Sequence, residues 1–276
     1  MKHYLNGKWV SEKDLMISAL DIAVLRGFGI FDFLRTYGKK PFRLDEHIDR
    51  FFRSAKFMGI TPVKSKKEIT DIVHEGIKLN NFDNTQIKIV QTGGVSSDGF
   101  TPSVKPNFFI LFQKAALYPP EIYSKGIKLI TSSLMRQMPQ AKTINYAASI
   151  TEVQTAMKLG AKDILHTDAK GNIFEATRSN FFAIKNGKLI TAQDGILHGI
   201  TRNAILDLAN KLKIPVNLRT VIKSELATID EAFISNSSQE IAPVVVIDNI
   251  TIGDGKVGQL TKKFIKALRS MATGQT

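Results

Sequence analysis

The chain has 276 residues, 43% apolar and 23% charged, enough for one large domain or two modest ones with a true hydrophobic core. It contains no cysteine, which excludes disulfides, thiolate nucleophiles and cysteine-based zinc or iron–sulfur sites. The formal charge is +13, but the lysines are dispersed among acids on helix faces. The densest run, Lys64-Ser65-Lys66-Lys67, leads straight into Glu68, so the excess reads as solvated surface that favours anionic small molecules.

Met1–Gly7 lacks the apolar run of a signal peptide, and no stretch approaches the roughly 18 apolar residues of a membrane span. The expectation is a cytoplasmic protein with no membrane partner. Residues 3–10 read as a strand and turn, with Asn6-Gly7 as the hairpin signal. Ile30 to Tyr37 is strand-like and ends at Gly38-Lys39-Lys40-Pro41. From Leu44 to Met58, apolar residues at 44, 48, 51, 52, 55 and 58 make one helical stripe. Asp45 is its expected cap, and Glu46/Arg50 and Asp49/Arg53 its expected ion pairs. Ser65-x-x-Glu68 is a capping box that opens a helix reaching about Leu79. Strands follow at Ile87–Thr92 and Asn107–Phe112, the latter an unbroken apolar run suited to burial on both faces.

Residues 114–126 contain Tyr118-Pro119-Pro120 and little periodicity, and form the expected linker between a domain at 1–113 and another at 127–276. The second half starts with the strand Ile127–Thr131. A helix near Asn145–Leu159 stops at Gly160. Strands near Asp163–Thr167 and Asn180–Ile184 come next, the second joined to Lys188–Thr191 through Asn186-Gly187, a type I′ turn signal. The helix Ile200–Leu212, short strands at Ala232–Ser235 and Val244–Ile247, and a helix at Gln259–Met271 complete the chain. The mixture lacks strict βαβ alternation, so the expected class is α+β with two domains.

Several chemistries have no anchor. There is no Walker A pattern, no complete dinucleotide fingerprint, no G-x-S-x-G elbow, and five scattered histidines with no H-E-x-x-H. No metal site is expected. What stands out is an ordered series: Lys142 opening Lys142-Thr143-Ile144-Asn145-Tyr146, then Glu175, then the helix start Gly199-Ile200-Thr201-Arg202, then Ser235-Asn236-Ser237-Ser238. These are the groups that pyridoxal phosphate requires: an amine for a Schiff base, a carboxylate for the ring nitrogen, and a helix N-terminus with hydroxyls for the phosphate. Arg50 adds a fixed charge for the phosphate, and Tyr146 a hydroxyl for the phenolic oxygen. Taken singly, each has an ordinary reading: Lys142 as a surface lysine, Arg50 as the partner of Glu46, residues 235–238 as a loop. Spacing alone does not assemble them.

The chain resembles the class IV aminotransferases, the fold-type IV pyridoxal-phosphate enzymes. That group includes branched-chain and D-amino acid aminotransferases and 4-amino-4-deoxychorismate lyase. The resemblance runs from Arg26-Gly27-Phe28-Gly29-Ile30-Phe31-Asp32 through Leu44-x-x-His47-x-x-Arg50-x-x-x-Ser54-Ala55, Lys142–Tyr146, E-A-T-R-S-N-F-F and I-L-H-G-I-T-R to S-N-S-S-Q-E-I-A-P-V. It implies a small N-terminal α/β domain, a larger C-terminal domain with a barrel-like sheet, and a homodimer. It makes Lys142 the Schiff-base lysine and Glu175 the partner of the ring nitrogen. Arg50, Ile200 (by its backbone), Thr201 and Ser237 become phosphate ligands with Asn236 nearby, and Tyr146 falls near the phenolic oxygen. The implied reaction transfers an amino group from a branched-chain L- or D-type amino acid to a 2-oxo acid such as 2-oxoglutarate. Two alternatives stand beside it: a lyase of the aminodeoxychorismate kind, and a basic nucleic-acid-binding protein. The family's D-amino acid members carry an arginine and a histidine where this chain reads Val95-Ser96-Ser97-Asp98-Gly99-Phe100. Arg26, Lys88 and Arg178 are therefore the candidates for the substrate carboxylate.

Overall fold

The computed structural model of the protein describes residues 1–116 and 118–275. Its contacts divide into two compact units, Met1–Ala116 with Gln140–Tyr146, and Leu117–Pro139 with Ala147–Thr276. The segment 140–146, which holds Lys142, thus packs with the first unit. No helix among the described residues is long and apolar enough to cross a membrane.

The first unit contains, in chain order, β1 (Lys2–Leu5), β2 (Lys8–Ser11), α1 (Ile22–Arg26), β3 (Gly29–Tyr37), β4 (Lys40–Pro41), α2 (Leu44–Phe57), α3 (Lys66–Asn80), β5 (Thr85–Thr92) and β6 (Phe108–Lys114). The six strands make one antiparallel sheet in the order β2-β1-β6-β5-β3-β4. Its inner face presents Ile30, Leu34, Ile87, Ile89, Ile110 and Phe112 to Ile48, Phe51 and Ala55 of α2 and Ile69, Val73 and Ile77 of α3. Burial along β6 alternates, so this strand covers the core with one face only, contrary to the two-sided burial its apolar run suggests. The Ser65/Glu68 capping box opens α3 as its spacing predicts. Helix α2 instead starts from Arg43, a left-handed residue at φ 52°, and Asp45 lies within the first turn. Its expected i,i+4 pairs are replaced: Glu46 pairs with Arg43 at 3.1 Å and Asp49 with Lys66 at 2.6 Å. Arg50 is turned inward.

The reason is Asp32. It occupies an inward position of β3, in the same row as Ile30 and Leu34, and has no exposure to water. Arg50 grips its carboxylate with two parallel bonds, Nε to Oδ2 and Nη2 to Oδ1, both 2.8 Å, and His47 Nδ1 lies 2.6 Å from Oδ1. Burial alone would raise the Asp32 carboxyl, but Arg50 and His47 outweigh it and hold the group well below the usual carboxylate range. Burial lowers the imidazole of His47 below its ordinary value, against the pull of the Asp32 charge, and its Nδ1 faces the acceptor-only Asp32 carboxylate as the donor.

The second unit contains α4 (Pro120–Lys125), β7 (Ile127–Ser132), α5 (Ala147–Lys158), β8 (Asp163–Thr167), β9 (Asn172–Ala176), β10 (Asn180–Lys185), β11 (Lys188–Thr191), α6 (Ile200–Lys211), β12 (Val216–Leu218), β13 (Val221–Ile222), β14 (Glu231–Asn236), β15 (Glu240–Ile247), β16 (Ile250–Thr251) and α7 (Gln259–Thr273). Strands β10, β14, β15, β7, β8 and β9 pair in that order, and β9 pairs back to β10, which closes a six-stranded barrel. Asn186 and Gly187 are both left-handed, as a type I′ turn between β10 and β11 demands. Strand β10 is buried on both faces. Phe181 and Ala183 join one apolar cluster, while Phe182 stacks on Phe233 at 4.7 Å, which packs on Phe264 of α7. Strand β15 begins four residues before the sequence pattern suggests and runs through Pro243. A proline fits there because β15 acquires its second neighbour, β7, only from Val244 onward. The expected linker region includes the short helix α4.

Two outcomes follow. Gly76 of α3 faces Phe112, and a Cβ at this position would lie 2.1 Å from the buried ring. Gly76→Ala gains helix propensity of about 1 kcal/mol but overpacks a site that cannot yield, so a net loss of about 1–2 kcal/mol is expected from urea unfolding; Phe112→Leu in the same background should recover part of it. Removing Asp32 strands a buried guanidinium, so Asp32→Asn should cost about 3–5 kcal/mol at pH 7. Because the Asp32 pKa is depressed on folding, its contribution is present above the unfolded carboxylate value and is lost as pH falls below it. The gap between wild type and variant should therefore shrink below about pH 4. A gap that stays constant from pH 7 to pH 3 would contradict the account.

Candidate functional site

In the first unit, Lys142 is fixed through its main chain. Residues 142–144 run beside the start of β3: Phe31 N–H donates to Lys142 O at 2.9 Å, Ile144 N–H donates to Gly29 O at 3.1 Å, and Thr143 faces Ile30. Lys142 N–H donates to Ser54 Oγ at 3.0 Å, and that hydroxyl donates in turn to the Arg50 carbonyl at 3.0 Å. Ser54 lies one turn beyond Arg50 on the same buried face of α2. The Lys142 side chain extends over Phe31, with Nζ 4.5 Å from the ring centroid. Lys88 Nζ lies 5.8 Å from the same ring, and Tyr146 meets it edge-on at 6.0 Å. Lys142, Lys88 and Tyr146 thus gather around Phe31. The positive charge of Lys142 also reaches His47 and helps depress its imidazole, after burial as the larger cause. Arg50 Nη1 lies outside the bidentate pair with Asp32. Arg26 is exposed on α1, with its guanidinium donating to the Leu25 carbonyl.

In the second unit, Glu175 and Asn180 face each other where β9 meets β10, the joint that closes the barrel. The tight corner Thr177-Arg178-Ser179 brings them side by side, with Ala176 N–H donating to Ser179 O at 2.8 Å. Glu175 is 3% exposed, and its carboxylate accepts throughout. Arg136 Nη1 donates at 2.8 Å, Asn180 Nδ2 at 3.2 Å, and Leu197 N–H lies 3.1 and 3.2 Å from the two oxygens. Asn180 Nδ2 also donates to Leu197 O at 2.7 Å. Arg202 is buried in the first turn of α6, donates to Ala192 O at 2.8 Å and leaves Nε without a partner. Burial lowers its guanidinium pKa, and the nearby Glu175 charge opposes that shift.

Helix α6 begins at Gly199, which offers no side chain to cap the first turn. None could fit, since a Cβ there would lie 2.2 Å from Asn180 Oδ1. The N–H groups of the first turn, Ile200 among them, and the hydroxyl of the buried Thr201 therefore form an end suited to an anion. In the β14–β15 turn, Asn236 Oδ1 accepts from Ser238 N–H at 2.8 Å and Gln239 N–H at 2.7 Å, and its Nδ2 donates to Ser179 Oγ at 2.8 Å. Asn236 shapes the turn, while the Ser237 hydroxyl makes no hydrogen bond among the described residues. Ser235 Oγ is buried without a partner. Arg178 is exposed at the β9–β10 corner, next to Thr177, whose hydroxyl donates to buried Asp163 at 2.5 Å.

Sequence reasoning missed the supports of these groups. Asp32 and His47 lie within motifs already singled out, and the L-x-x-H-x-x-R spacing places His47 and Arg50 on one helical face. Asn180 follows Ser179 in E-A-T-R-S-N. Arg136 carries no sequence signal, because its loop has neither periodicity nor motif. Among the described residues no group of His, Asp and Glu is arranged to hold a metal.

The profile of the family described as amino-transferase class IV matches residues 29–247. A putative branched-chain-amino-acid aminotransferase of Methanocaldococcus jannaschii is 37% identical over 282 residues, covering 99% of this chain and 97% of that protein. A D-alanine aminotransferase of Staphylococcus haemolyticus is 32% identical over 268 residues, covering 95% and 94%. Among solved structures, the branched-chain amino acid aminotransferase of Escherichia coli superposes with a TM-score of 0.93 at 30% identity, over 100% of this chain and 95% of that one. With a family match across most of its length, a relative at 37% identity and the fold in common, the chain belongs to the class IV aminotransferases, which use pyridoxal phosphate.

Proposed function

We propose that the protein is a pyridoxal-phosphate-dependent transaminase that moves an amino group between a branched-chain L- or D-type amino acid and a 2-oxo acid such as 2-oxoglutarate. The observation that carries this reading is Glu175: a buried carboxylate, anchored by a main-chain N–H and two side chains, in a unit that also offers an uncapped helix start and hydroxyls. That donor set fits a phosphorylated pyridine. When bound, pyridoxal phosphate supplies an aldehyde that takes up amines and a protonated ring that draws electrons from the substrate Cα.

The chain's own groups do the rest. Lys142 Nζ would hold the aldehyde of the cofactor, and as a free amine it would take the proton from the substrate Cα. Its pinned main chain leaves only the side chain to move. Glu175 keeps the ring nitrogen protonated. The Ile200 N–H, the hydroxyls of Thr201 and Ser237, and Arg50 bind the phosphate, with Asn236 shaping the turn that carries Ser237. Tyr146 donates to the phenolic oxygen. Arg26, Lys88 and Arg178 are the candidates for the substrate carboxylate, and contact with the ring that Lys142 also touches favours Lys88. Relatives named for branched-chain and for D-alanine transamination support both kinds of substrate. Since the matched relatives described above are transaminases, neither the lyase nor the nucleic-acid-binding alternative is favoured. The protein is read as a cytoplasmic enzyme and as a homodimer; the exposed apolar residues Met16, Leu20, Val24 and Leu25 of the first unit support the self-association alone.

Purified protein should absorb in the visible range, and borohydride reduction followed by peptide mapping should place a pyridoxyl group on Lys142. Lys142→Ala should abolish turnover with unchanged circular dichroism; retained turnover would remove Lys142 from this role. Single half-reactions with a panel of L- and D-amino acids should bleach the chromophore only with true donors. No response to any branched-chain or D-amino acid would overturn the substrate assignment.

A further inference from the structure

The β14–β15 turn ends on an unusual residue. Glu240 lies in the left-handed region at φ 64° and is 7% exposed. It stands opposite Asn236, so three residues, 237–239, are followed by one left-handed position. That is the hairpin geometry in which glycine is normally placed, because any Cβ is disfavoured there. A glutamate at this point needs a compensating contact, and the structure supplies one. Arg269 of α7 donates from Nε to Glu240 Oε2 at 2.7 Å. The Arg269 guanidinium lies over the ring of Tyr123, 4.9 Å from its centroid, and the Tyr123 hydroxyl donates to the Gln239 carbonyl at 3.1 Å. The chain of contacts therefore starts at Glu240 and returns to the peptide that joins Gln239 to it. A second tyrosine, Tyr118, bonds Ser238 Oγ at 2.6 Å.

We propose that Glu240 and Arg269 are positioning residues for phosphate binding: the clasp from α7 through Tyr123 holds the turn so that Ser237 presents its hydroxyl and N–H to the cofactor phosphate. The proposal rests on the reading of Ser237 as a phosphate ligand. The local logic favours a positional role over a merely stabilising one. A turn selected only for stability would carry glycine at 240, whereas this one accepts a left-handed glutamate and gains a tether to the terminal helix. Helix α7 is itself fixed, with Phe264 and Leu268 in the core and Glu231 accepting from Leu260 N–H and Thr261 N–H at its start. The tether thus ends on a rigid body.

The test uses the full-length protein, loaded with cofactor and then resolved from it. Affinities for pyridoxal phosphate and for pyridoxal, which lacks the phosphate, are measured for wild type, Glu240→Gly, Arg269→Gln and Ser237→Ala, with unfolding midpoints alongside. Glu240→Gly removes the clasp but relieves the backbone; Arg269→Gln removes it from the far end and serves if the first variant folds poorly. Both should weaken pyridoxal phosphate by roughly tenfold, the scale of one charge-assisted hydrogen bond, and leave pyridoxal unchanged. Combined with Ser237→Ala, neither should add to its loss. Equal weakening of both ligands would overturn the proposal in favour of general destabilisation. Unchanged pyridoxal phosphate affinity in the clasp variants, with Ser237→Ala weakened, would overturn it while leaving Ser237 as a ligand. An unchanged Ser237→Ala would remove Ser237 from the phosphate and the proposal with it.

Discussion

A carboxylate sealed in a hydrophobic core survives only where its charge is matched with good geometry, since the cost of removing it from water is several kcal/mol. Asp32 meets that condition through Arg50 and His47, both on α2. The match needs a planar fork from one side and a ring nitrogen from the same side, so it fixes the rotation of α2 and its height against β3. Once Arg50 is set, Ser54 is set, one turn further along the same face. Ser54 receives the Lys142 N–H, and β3 itself supplies the other bonds to the 142–144 segment. The position of the lysine's backbone is therefore a consequence of a salt bridge that the lysine does not join.

The second unit positions its groups differently. There the sharp corner at 177–179 and the Gly199 start of α6 fit around one amide, Asn180. That side chain donates to Glu175 and to the Leu197 carbonyl, and its oxygen fills the space that any side chain at Gly199 would need. One residue thus orients the carboxylate and keeps the helix end uncapped. Substituting a conventional capping residue at 199 would strengthen a free helix, yet here it would collide with Asn180 and cover the N–H groups that an anion needs.

The sequence was most legible where a signal is local. The Ser65/Glu68 box, the Asn186-Gly187 turn and the helical stripe of α2 depend on residues a few positions apart, and each stands in the structure. Legibility failed where a partner is distant. Arg50 has Glu46 four residues before it, a sound local pair, but Asp32 offers a dry bidentate partner that outcompetes a solvated one. Asp45 looked like a cap because nothing local reveals that Arg43 turns left-handed. Strand β15 extends back through Pro243, beyond the expected Val244–Ile247, because a missing N–H is harmful only where a neighbour is waiting for it, and β7 pairs only from Val244 onward. Asn107–Phe112 read as doubly buried because composition cannot say which side faces solvent. The motif series pointed to the candidate site residues through resemblance, but it did not contain Arg136, whose loop has no pattern of its own.

The barrel closure gives a last consequence. Five of its joints are ladders of two or more residue pairs, while β9 and β10 share a single pair, Glu175 with Asn180. A closed sheet breathes most readily where it is least laced, and amide exchange reports such openings. In this chain that seam is also the place where a buried carboxylate is held in register. An opening of that seam would also release the hydrogen bonds by which Asn180 and the Leu197 N–H hold the Glu175 carboxylate, so the register of the sheet and the orientation of that buried acid depend on the same single pair.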